Sequence, residues 1–389
     1  MRRLSAGWTG HPVPLRDHAH ADLTGSDRTR PLLTRLSARD FRNLEPLTWE
    51  PGAGSHLLLG GNGAGKTSLL EAIYVAATTR SFRAAQIADC VRHGAGSFHV
   101  QADVETDRRA TLEVGWMDGQ RLRLLNGKVT PLSEHLSVLP VVAWTAAAEA
   151  EVLVGAPKAR RRFLDRGVVG IHPAALDLLG RYREALRQKR GLLLAEGAGI
   201  EIWNELLGAT AADVIAQRHR YVELLKVQLA GVVGASGLPF PPIEIRYRPS
   251  PTNGLEGQVA IADALDRIAD RERRRQLPLL GPHRDELEIL WGGHEIRRVA
   301  SAGERKSLSL LLLAAHGRVM EESGRSPVYL LDDADAELAP PTVAAVWGVF
   351  RNAGDTGQLV ATSNRPQVWL TLEIGRVWEM EKGVLQLVS

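Results

Sequence analysis

The amino-acid sequence predicts an α/β domain that is divided in two by a block of helices. Short apolar segments typical of strands alternate with helical segments near both ends of the chain. Between the ends, residues 156–232 carry apolar residues at three- and four-residue steps, the spacing of amphipathic helices. A glycine-rich turn also joins an apolar strand at residues 56–59 to a helix that begins at Lys66. We therefore expect residues 32–150 and 278–389 to fold together as one α/β head, with residues 151–277 as a compact helical insertion lobe.

Composition and charge exclude several classes of protein. The 44% apolar and 24% charged residues are typical of a globular chain and exclude wholesale disorder. Because there is no run of about 18 apolar residues, we expect no contact with a membrane. The single cysteine, Cys90, cannot form an internal disulfide, which favours a reducing compartment and hence a cytoplasmic location. The net charge of +3 does not by itself indicate a nucleic-acid partner. Residues 1–31 show no periodicity, and we expect them to form a disordered tail.

The N-terminal part of the head is predicted to be rich in strands. Apolar and polar residues alternate there, as in half-buried strands, and Asp118-Gly119 and Asn126-Gly127 are dipeptides that favour tight hairpins. The predicted strands are Leu32–Asp40, Leu44–Trp49, Phe98–Glu105, Ala110–Trp116, Arg121–Leu125 and Val138–Trp144.

The rest of the chain returns from helices to strands. After the helical block, prolines between residues 239 and 251 predict a link, and a helix is expected over Ile261–Arg275. The prolines interrupt any long coiled coil, which favours a compact lobe. The head then continues with a strand at Leu287–Leu290, a helix at Ser301–Met320, buried strands at Val328–Leu331 and Leu359–Ala361, and a hairpin of Arg376–Met380 and Val384–Val388.

The glycine-rich turn carries the clearest chemical signal. Its residues match the pattern G-x-x-x-x-G-K-[ST] and lie between a strand and a helix, the context in which this pattern binds nucleotide phosphates. The N-terminus of the following helix adds a favourable dipole. Lys66 is expected to reach the β- and γ-phosphates of ATP, and Thr67 is expected to ligate Mg²⁺. The predicted ATP-binding residues of this loop are Gly60, Gly61, Asn62, Gly63, Ala64, Gly65, Lys66, Thr67 and Ser68.

Two acidic residues form the second signal. Asp332 and Asp333 directly follow the apolar strand Val328–Leu331. An acidic residue at the end of such a strand holds the magnesium ion in P-loop ATPases. We therefore expect Asp332 to bind Mg²⁺ together with Thr67, and Asp333 to polarise the attacking water. Lys66, Asp332 and Asp333 are the predicted catalytic residues.

A third signal lies at the start of the helix that precedes this acidic strand. The residues Ser301-Ala302-Gly303-Glu304 are similar to the S-x-G-[QE] signature of ABC ATPases. A serine and a glycine at a helix N-terminus can bind a second phosphate group. Ser301 and Gly303 are therefore predicted to contact ATP.

Together, these segments resemble the RecF family of bacterial recombination and gap-repair ATPases, which are related to SMC heads. Arg161–Asp165 and Gly281–Leu287 are the segments that narrow the resemblance to this family. The resemblance implies an ABC-type, SMC-head-like ATPase. Two heads would close on two ATP–Mg²⁺, each held between Lys66 of one chain and Ser301 of the other, with slow, DNA-stimulated hydrolysis.

The resemblance also implies partners. Members of the family bind DNA at gap junctions between single and double strands and, with RecR and possibly RecO, help to load RecA. Binding would be independent of sequence, and the protein would be associated with the nucleoid. Basic residues of the lobe are the candidate contacts to DNA phosphates, and the alternative is a solvated face paired with acids such as Asp165 and Glu184. The candidates are Arg160, Arg161, Arg162, Lys189 and Arg190.

Three questions stay open at this stage. An overcoming-lysogenization-type ATPase of the same class is one alternative function. A DNA-binding scaffold with little turnover is another, because Ala339 stands where the family has an aspartate. His283 and Arg284 could brace the junction between lobe and head, or contact nucleotide.

Overall fold

The structure is a computed structural model, and it describes residues 30–146, 150–195, 197, 199–250, 258–354 and 357–388. The disordered tail predicted for residues 1–31 lies outside these ranges except for its last two residues. None of the described helices is long and apolar enough to span a lipid bilayer.

The strands are numbered along the chain. They are β1 (Leu32–Arg39), β2 (Leu47–Trp49), β3 (Gly54–Leu59), β4 (Ser97–Glu105), β5 (Arg109–Met117), β6 (Gln120–Leu125), β7 (Lys128–Val129), β8 (Val141–Trp144), β9 (Ile243–Arg248), β10 (Glu286–Trp291), β11 (His294–Glu295), β12 (Val328–Leu331), β13 (Gln358–Ser363), β14 (Arg376–Glu381) and β15 (Val384–Leu387).

The α-helices are numbered in the same way. They are α1 (Lys66–Thr78), α2 (Leu132–Val138), α3 (Pro157–Ile171), α4 (Ala175–Leu194), α5 (Ile200–Ser236), α6 (Gln258–Arg267), α7 (Ala269–Arg275), α8 (Ile296–Val299), α9 (Ala302–Glu322), α10 (Pro340–Gly354) and α11 (Pro366–Trp369). Short 3₁₀ turns occur at Ile87–Cys90 and Pro282–Arg284, and a π turn occurs at Ala150–Val154.

The first sheet of the head is antiparallel, in the order β2-β1-β4-β5-β6-β7. The hairpin turns predicted within it are confirmed. Asp118 and Gly119 join β5 to β6 with φ of 51° and 79°, and Asn126 and Gly127 join β6 to β7 with φ of 53° and 73°. Two successive residues with positive φ match the right-handed twist of the flanking strands, and this is why Asp-Gly and Asn-Gly occur there.

The second sheet places the candidate site. Its order is β15-β14-β3-β13-β12-β8, and all neighbours except β14 and β15 run parallel. In parallel strands the carboxyl ends lie at the same edge of the sheet. The glycine-rich turn after β3, the acids after β12 and the end of β13 therefore meet at one edge.

Helices fill the space on both sides of this second sheet. Helix α1 is buried along most of its surface, and its Leu69 and Ile73 belong to the same core as Leu36 and Val100 of the first sheet. On the opposite face, α9 and α10 pack with α3 and the C-terminal part of α5. A helix that is enclosed on all sides needs no polar face, which explains the long apolar run in α9.

The helical lobe does not separate from the head at the predicted boundaries. The 37-residue helix α5 contributes Leu207 and Val214 to a core within the lobe, and Leu225 and Val232 to the core of the head. Strand β9, which falls in the proline-rich link, pairs antiparallel with β10. The prolines flank this strand without interrupting its hydrogen bonds. Head and lobe therefore share this helix and this sheet across the predicted boundaries at residues 151 and 277.

Two further expectations differ at the level of single elements. The helix predicted over Ile261–Arg275 is broken at Ile268 into α6 and α7. The strand predicted from Val138 begins at Val141, because α2 extends through Val138.

A buried arginine joins the lobe to the head. Arg218 of α5 donates to Asp165 Oδ1 of α3 at 2.6 Å, and to Asp285 Oδ2 and the carbonyl of Pro282 at 2.7 Å each. The side chain of Arg218 is 5% exposed and that of Asp285 is 0% exposed. Asp285 also accepts bonds from the N–H of Ser250, at 2.8 Å, and from a tyrosine hydroxyl. These bonds balance the buried charges where α3, α5 and the start of β10 meet.

We expect Arg218→Met to destabilise the protein by about 3–5 kcal/mol, because it leaves two partly or fully buried carboxylates without their cation. Chemical denaturation followed by circular dichroism measures the change. Arg187→Met is the matched control, since the ion pair of Arg187 with Glu184 lies on the surface and contributes little. Equal unfolding midpoints for both variants would show that the junction does not depend on Arg218.

Candidate functional site

The glycine-rich turn follows β3 and leads into α1, and glycine is required by its packing. A Cβ at Gly60 would lie 2.3 Å from the carbonyl oxygen of Met380, and Gly65 has a φ of 113°. The N–H of Gly383, in the final hairpin, donates to the carbonyl of Ala64 at 2.8 Å. The turn is thus held closely between β3 and the hairpin of β14 and β15.

Lys66 lies across the mouth of this turn. Its Nζ donates to the carbonyl oxygens of Gly60, at 2.8 Å, and Gly61, at 3.0 Å, and the residue is only 5% exposed. This is the place where the β- and γ-phosphates lie in P-loop proteins. Oxygens of a bound phosphate would replace the two carbonyl oxygens as acceptors of the hydrogen bonds from the Lys66 ammonium.

Residues between β1 and β2 brace the turn and α1. Asn43 donates from Nδ2 to the carbonyl of Gly63 at 2.8 Å and accepts a bond from the hydroxyl of Ser68 at 2.6 Å. Arg42 donates to both carboxylate oxygens of the buried Glu71 in α1, at 3.0 and 2.7 Å. The phosphate-binding loop is therefore fixed to the antiparallel sheet by side chains outside the motif.

Thr67 and Asp332 meet although they are far apart in the chain. Thr67 Oγ1 donates to Asp332 Oδ1 at 2.8 Å, and Thr362 Oγ1, from the end of β13, donates to the same oxygen at 3.0 Å. Burial raises the pKa of Asp332 and the neighbouring Asp333 adds to this, while the hydrogen bond from Thr67 acts in the opposite direction. A divalent cation would favour the ionised carboxylate.

This pair of oxygen ligands fits magnesium. A threonine hydroxyl and one aspartate are the protein ligands that P-loop ATPases use. Across the described ranges, no group of three or more His, Cys, Asp or Glu side chains forms a metal site. The remaining ligands of a cation at Thr67 and Asp332 would therefore be phosphate oxygens and water.

Asp333 is held next to Asp332 by its backbone. It has a φ of 47°, and its N–H donates to Thr362 Oγ1 at 2.9 Å. Its side chain lines a cleft of about 410 Å³ together with Lys66 and Thr67. Other predicted ATP-binding residues also line this cleft, namely Asn62, Gly63, Ala64, Gly65 and Ser68.

The structure does not bring the signature residues to this cleft. Ser301 is exposed at the start of α9, and neither it nor Gly303 lines the cleft. Ser301 caps its own helix, because its hydroxyl accepts from the N–H of Glu304 at 3.3 Å while Glu304 Oε2 accepts from the N–H of Ser301 at 2.7 Å. The N-terminus of α9 thus presents Ser301 to solvent, with Gly303 half-buried beside it.

Lys306 connects the signature helix to the acidic loop of the same chain. Its Nζ donates to the carbonyl oxygens of Ala336, at 2.6 Å, and Asp333, at 3.3 Å. The ammonium also lies 4.9 Å from the centre of the Trp144 ring. The first turns of α9 are therefore linked by hydrogen bonds to the backbone that carries Asp333.

The five candidate DNA contacts have different environments. Arg160 binds both carboxylate oxygens of Glu286, at 2.6 and 3.0 Å, and Arg161 donates to the carbonyl of Asp285 at 3.0 Å. Arg162 and Arg190 are exposed. Lys189 is 0% exposed and lies 2.5 Å from the equally buried Glu272. The assignment of Lys189 to DNA is therefore wrong, because its charge is neutralised inside the lobe.

The structure also locates the two residues whose role was open. His283 shares a hydrogen bond of 2.7 Å with the Tyr182 hydroxyl of α4, and burial lowers its pKa to about 4. Neither His283 nor Arg284 lines the cleft at Lys66. His283 braces the junction between lobe and head.

Sequence reasoning assigned no role to Asn43, Thr362 or Lys306. Thr362 directly follows the predicted strand Leu359–Ala361, but the pairing of this strand with the strand of Asp332 is a long-range property that a local pattern does not indicate. Asn43 and Lys306 act through backbone carbonyls of distant segments, and no local pattern indicates such contacts.

Comparison with known sequences agrees with this geometry. A family model described as the RecF/RecN/SMC N terminal domain matches residues 32–384. The DNA replication and repair protein RecF of Geotalea daltonii is 33% identical over 315 residues, which cover 79% of this chain and 86% of that protein. The RecF of Chlorobium phaeovibrioides is 32% identical over 352 residues, covering 83% and 92% of the two chains.

Solved structures show the same fold. The structure of the recombination mediator protein RecF-ATP in the RecFOR pathway matches with a TM-score of 0.82 at 24% identity, covering 95% of this chain and 100% of that chain. An SmcHead bound to the C-winged helix domain of ScpA matches with a TM-score of 0.55 at 16% identity, covering 92% and 97%. The predicted α/β fold of an ABC-type, SMC-head-like ATPase domain with a helical lobe is confirmed.

We expect Lys66→Ala to weaken ATP binding about 100-fold, because it removes charge-assisted hydrogen bonds to phosphate worth about 3 kcal/mol in total. Isothermal titration with ATP and Mg²⁺ measures the affinity. Lys128→Ala, at an exposed lysine of β7, is the control and should bind like the wild type. An unchanged affinity in Lys66→Ala would contradict the assignment of this loop.

Proposed function

Because the chain belongs to the RecF family, as its sequence predicted, we propose that it is an ATP-dependent DNA-binding protein of recombinational gap repair. The observation that carries the proposal is the hydrogen bond between Thr67 and Asp332 beside the ammonium of Lys66. It joins the phosphate-binding loop to the acidic strand in the arrangement that P-loop ATPases use for ATP and Mg²⁺.

The residues of this chain divide the work of ATP hydrolysis. The backbone N–H groups of residues 60–66 and the Lys66 ammonium bind phosphate oxygens and stabilise the charge that develops on them. Thr67 and Asp332 would hold Mg²⁺, which neutralises charge on the β- and γ-phosphates. Asp333 would accept a hydrogen bond from the attacking water and orient it, and Thr362 keeps Asp333 in place.

The position of Ser301 supports a shared site between two chains. Ser301 and Gly303 begin a helix of 21 residues whose positive end faces solvent. A second copy would supply this end to the γ-phosphate bound at Lys66. Because one chain alone lacks these contacts, we expect turnover to be slow. Because Lys306 bonds to the carbonyl of Asp333 in its own chain, it would then couple the closure of two chains at Ser301 to the position of Asp333.

The proposed partners follow from the family. The relatives named RecF are DNA replication and repair proteins, and the structural neighbour is named a recombination mediator of the RecFOR pathway. We propose that this protein binds DNA at gap junctions independently of sequence and acts with RecR and RecO to load RecA. It would do so in the cytoplasm, on the nucleoid, as a weak DNA-stimulated ATPase.

A DNA-binding scaffold with little turnover is the second candidate. The observation that favours it is Ala339, which is exposed between the acidic loop and α10 at the position where the family has an aspartate. Phosphate release from ATP, measured with and without gapped DNA, separates the two candidates. Release that DNA stimulates supports the ATPase, and no release above the level of Lys66→Ala supports the scaffold.

We expect Asp333→Asn to accumulate as a dimer in the presence of ATP, because Asp332 still binds the metal while activation of water is weakened. Ser301→Arg should remain monomeric and keep ATP binding close to that of the wild type, since Ser301 lies outside its own cleft. Light scattering with and without ATP measures the mass of each variant. A monomeric mass for both the wild type and Asp333→Asn with ATP would contradict the shared site.

A further inference from the structure

A second cavity of about 410 Å³ lies at the base of the helical lobe and is distinct from the ATP cleft. Arg161 of α3, Arg190 of α4 and Arg284 of the turn before β10 all line it. The two cavities share no lining residue. Three arginines from three separate elements thus converge on one half-open space.

The charge of this cavity is not balanced by the protein. Glu286 is its acidic lining residue, and Arg160 occupies both oxygens of that carboxylate from outside the lining. Within the described ranges, the side chains of Arg190 and Arg284 form no ion pair or hydrogen bond, and both residues are exposed. The excess positive charge therefore faces the cavity.

Arg161 also lacks full compensation. One of its nitrogens donates to a backbone carbonyl at 3.0 Å. Burial lowers its pKa; the nearby acids Glu286 and Asp285 act in the opposite direction, and the cations Arg218 and Arg160 in the same direction as burial, so the net shift stays downward. An anion in the cavity would stabilise the charged guanidinium.

The end of α3 adds to this field. Pro157, the first residue of α3, lines the cavity, and the first turn of this 15-residue helix carries no acidic residue. A helix N-terminus has a partial positive charge and free N–H groups. The helix end and the three arginines therefore attract negative charge to the same place.

We propose that this cavity binds a phosphate group of the DNA backbone, an inference that rests on the proposed DNA-binding function. Guanidinium groups approaching from three sides suit the oxygens of a phosphate better than a planar carboxylate. A backbone phosphate is favoured over that of a free nucleotide, because the cavity opens on the lobe surface among exposed arginines. The contact would replace Lys189 and Arg160 in the predicted DNA interface.

The test is a double variant that combines Arg190→Gln with Arg284→Gln. Both arginines are exposed in the wild type, so their replacement leaves the junction between head and lobe at Arg218 intact. Binding to a gapped DNA duplex with ATP and Mg²⁺ is measured over a series of salt concentrations. We expect the affinity to fall about tenfold and the slope of log affinity against log salt to flatten by about one phosphate contact. Arg220→Gln, at an exposed arginine of α5 outside the cavity, is the matched control and should bind like the wild type.

Each result of this experiment either supports or contradicts phosphate binding in the cavity. A double variant with wild-type affinity and slope overturns the cavity assignment, while DNA binding by the wild type leaves the proposed function standing. Absence of DNA binding in the wild type itself overturns both. A loss of ATP affinity in the double variant, with DNA affinity unchanged, would assign the cavity to nucleotide phosphate and contradict the proposal. Melting curves of all variants are recorded, and the single variants Arg190→Gln and Arg284→Gln give the same readout if the double variant is unstable.

Discussion

The charge of Arg218 is the constraint on which the union of head and lobe depends. Helix α5 passes from one apolar core into the other, and at the crossing point polar groups from α3 and from the start of β10 must be buried. Arg218 satisfies Asp165, Asp285 and a carbonyl at once. Since Asp285 in turn binds the backbone after β9, one cation orders three segments that are distant in sequence. The head and the lobe are consequently one packed body in spite of their different secondary structure.

The ATP cleft depends on a different principle, the shared edge of parallel strands. β3, β12 and β13 each end at that edge, and each delivers one part of the candidate site: the glycine-rich loop, the acid that we propose binds Mg²⁺, and the threonine that contacts both aspartates. None of these parts is complete alone. The fold brings the three parts within hydrogen-bond distance of one another. The groups that the site uses are ordinary hydroxyl, carboxylate, ammonium and backbone groups, so their arrangement and not their type makes the site specific.

The sequence predicted those features whose determinants are local. The glycines of the loop and Lys66 are adjacent in the chain, and the hairpin dipeptides specify their own turns. The apolar strand that is followed by Asp332 is also recognisable from its own residues. The sequence-based predictions fail where a residue contacts a partner that is distant in the chain. Lys189 belongs to a row of basic residues, and nothing near it indicates that Glu272 of α7 lies against it inside the lobe. The prolines around β9 predict a link, because the pairing of this strand with β10 is a long-range property that a local pattern does not indicate. Thr362 was missed for the same reason.

Helix α5 also has a mechanical consequence. It is continuous over 37 residues, about 55 Å at 1.5 Å per residue, and bending it would break backbone hydrogen bonds. A hinge within the helix is therefore unfavourable, and any rotation of the lobe relative to the sheet of the head would have to carry the whole helix with it. The part of α5 from Arg218 to its first residue is about 27 Å long, so a rotation of the whole helix by about 10° about a point near Arg218 would displace its far end by about 5 Å. The length of α5 would thus convert a small rotation beside the sheet into a larger displacement at the far end of the lobe.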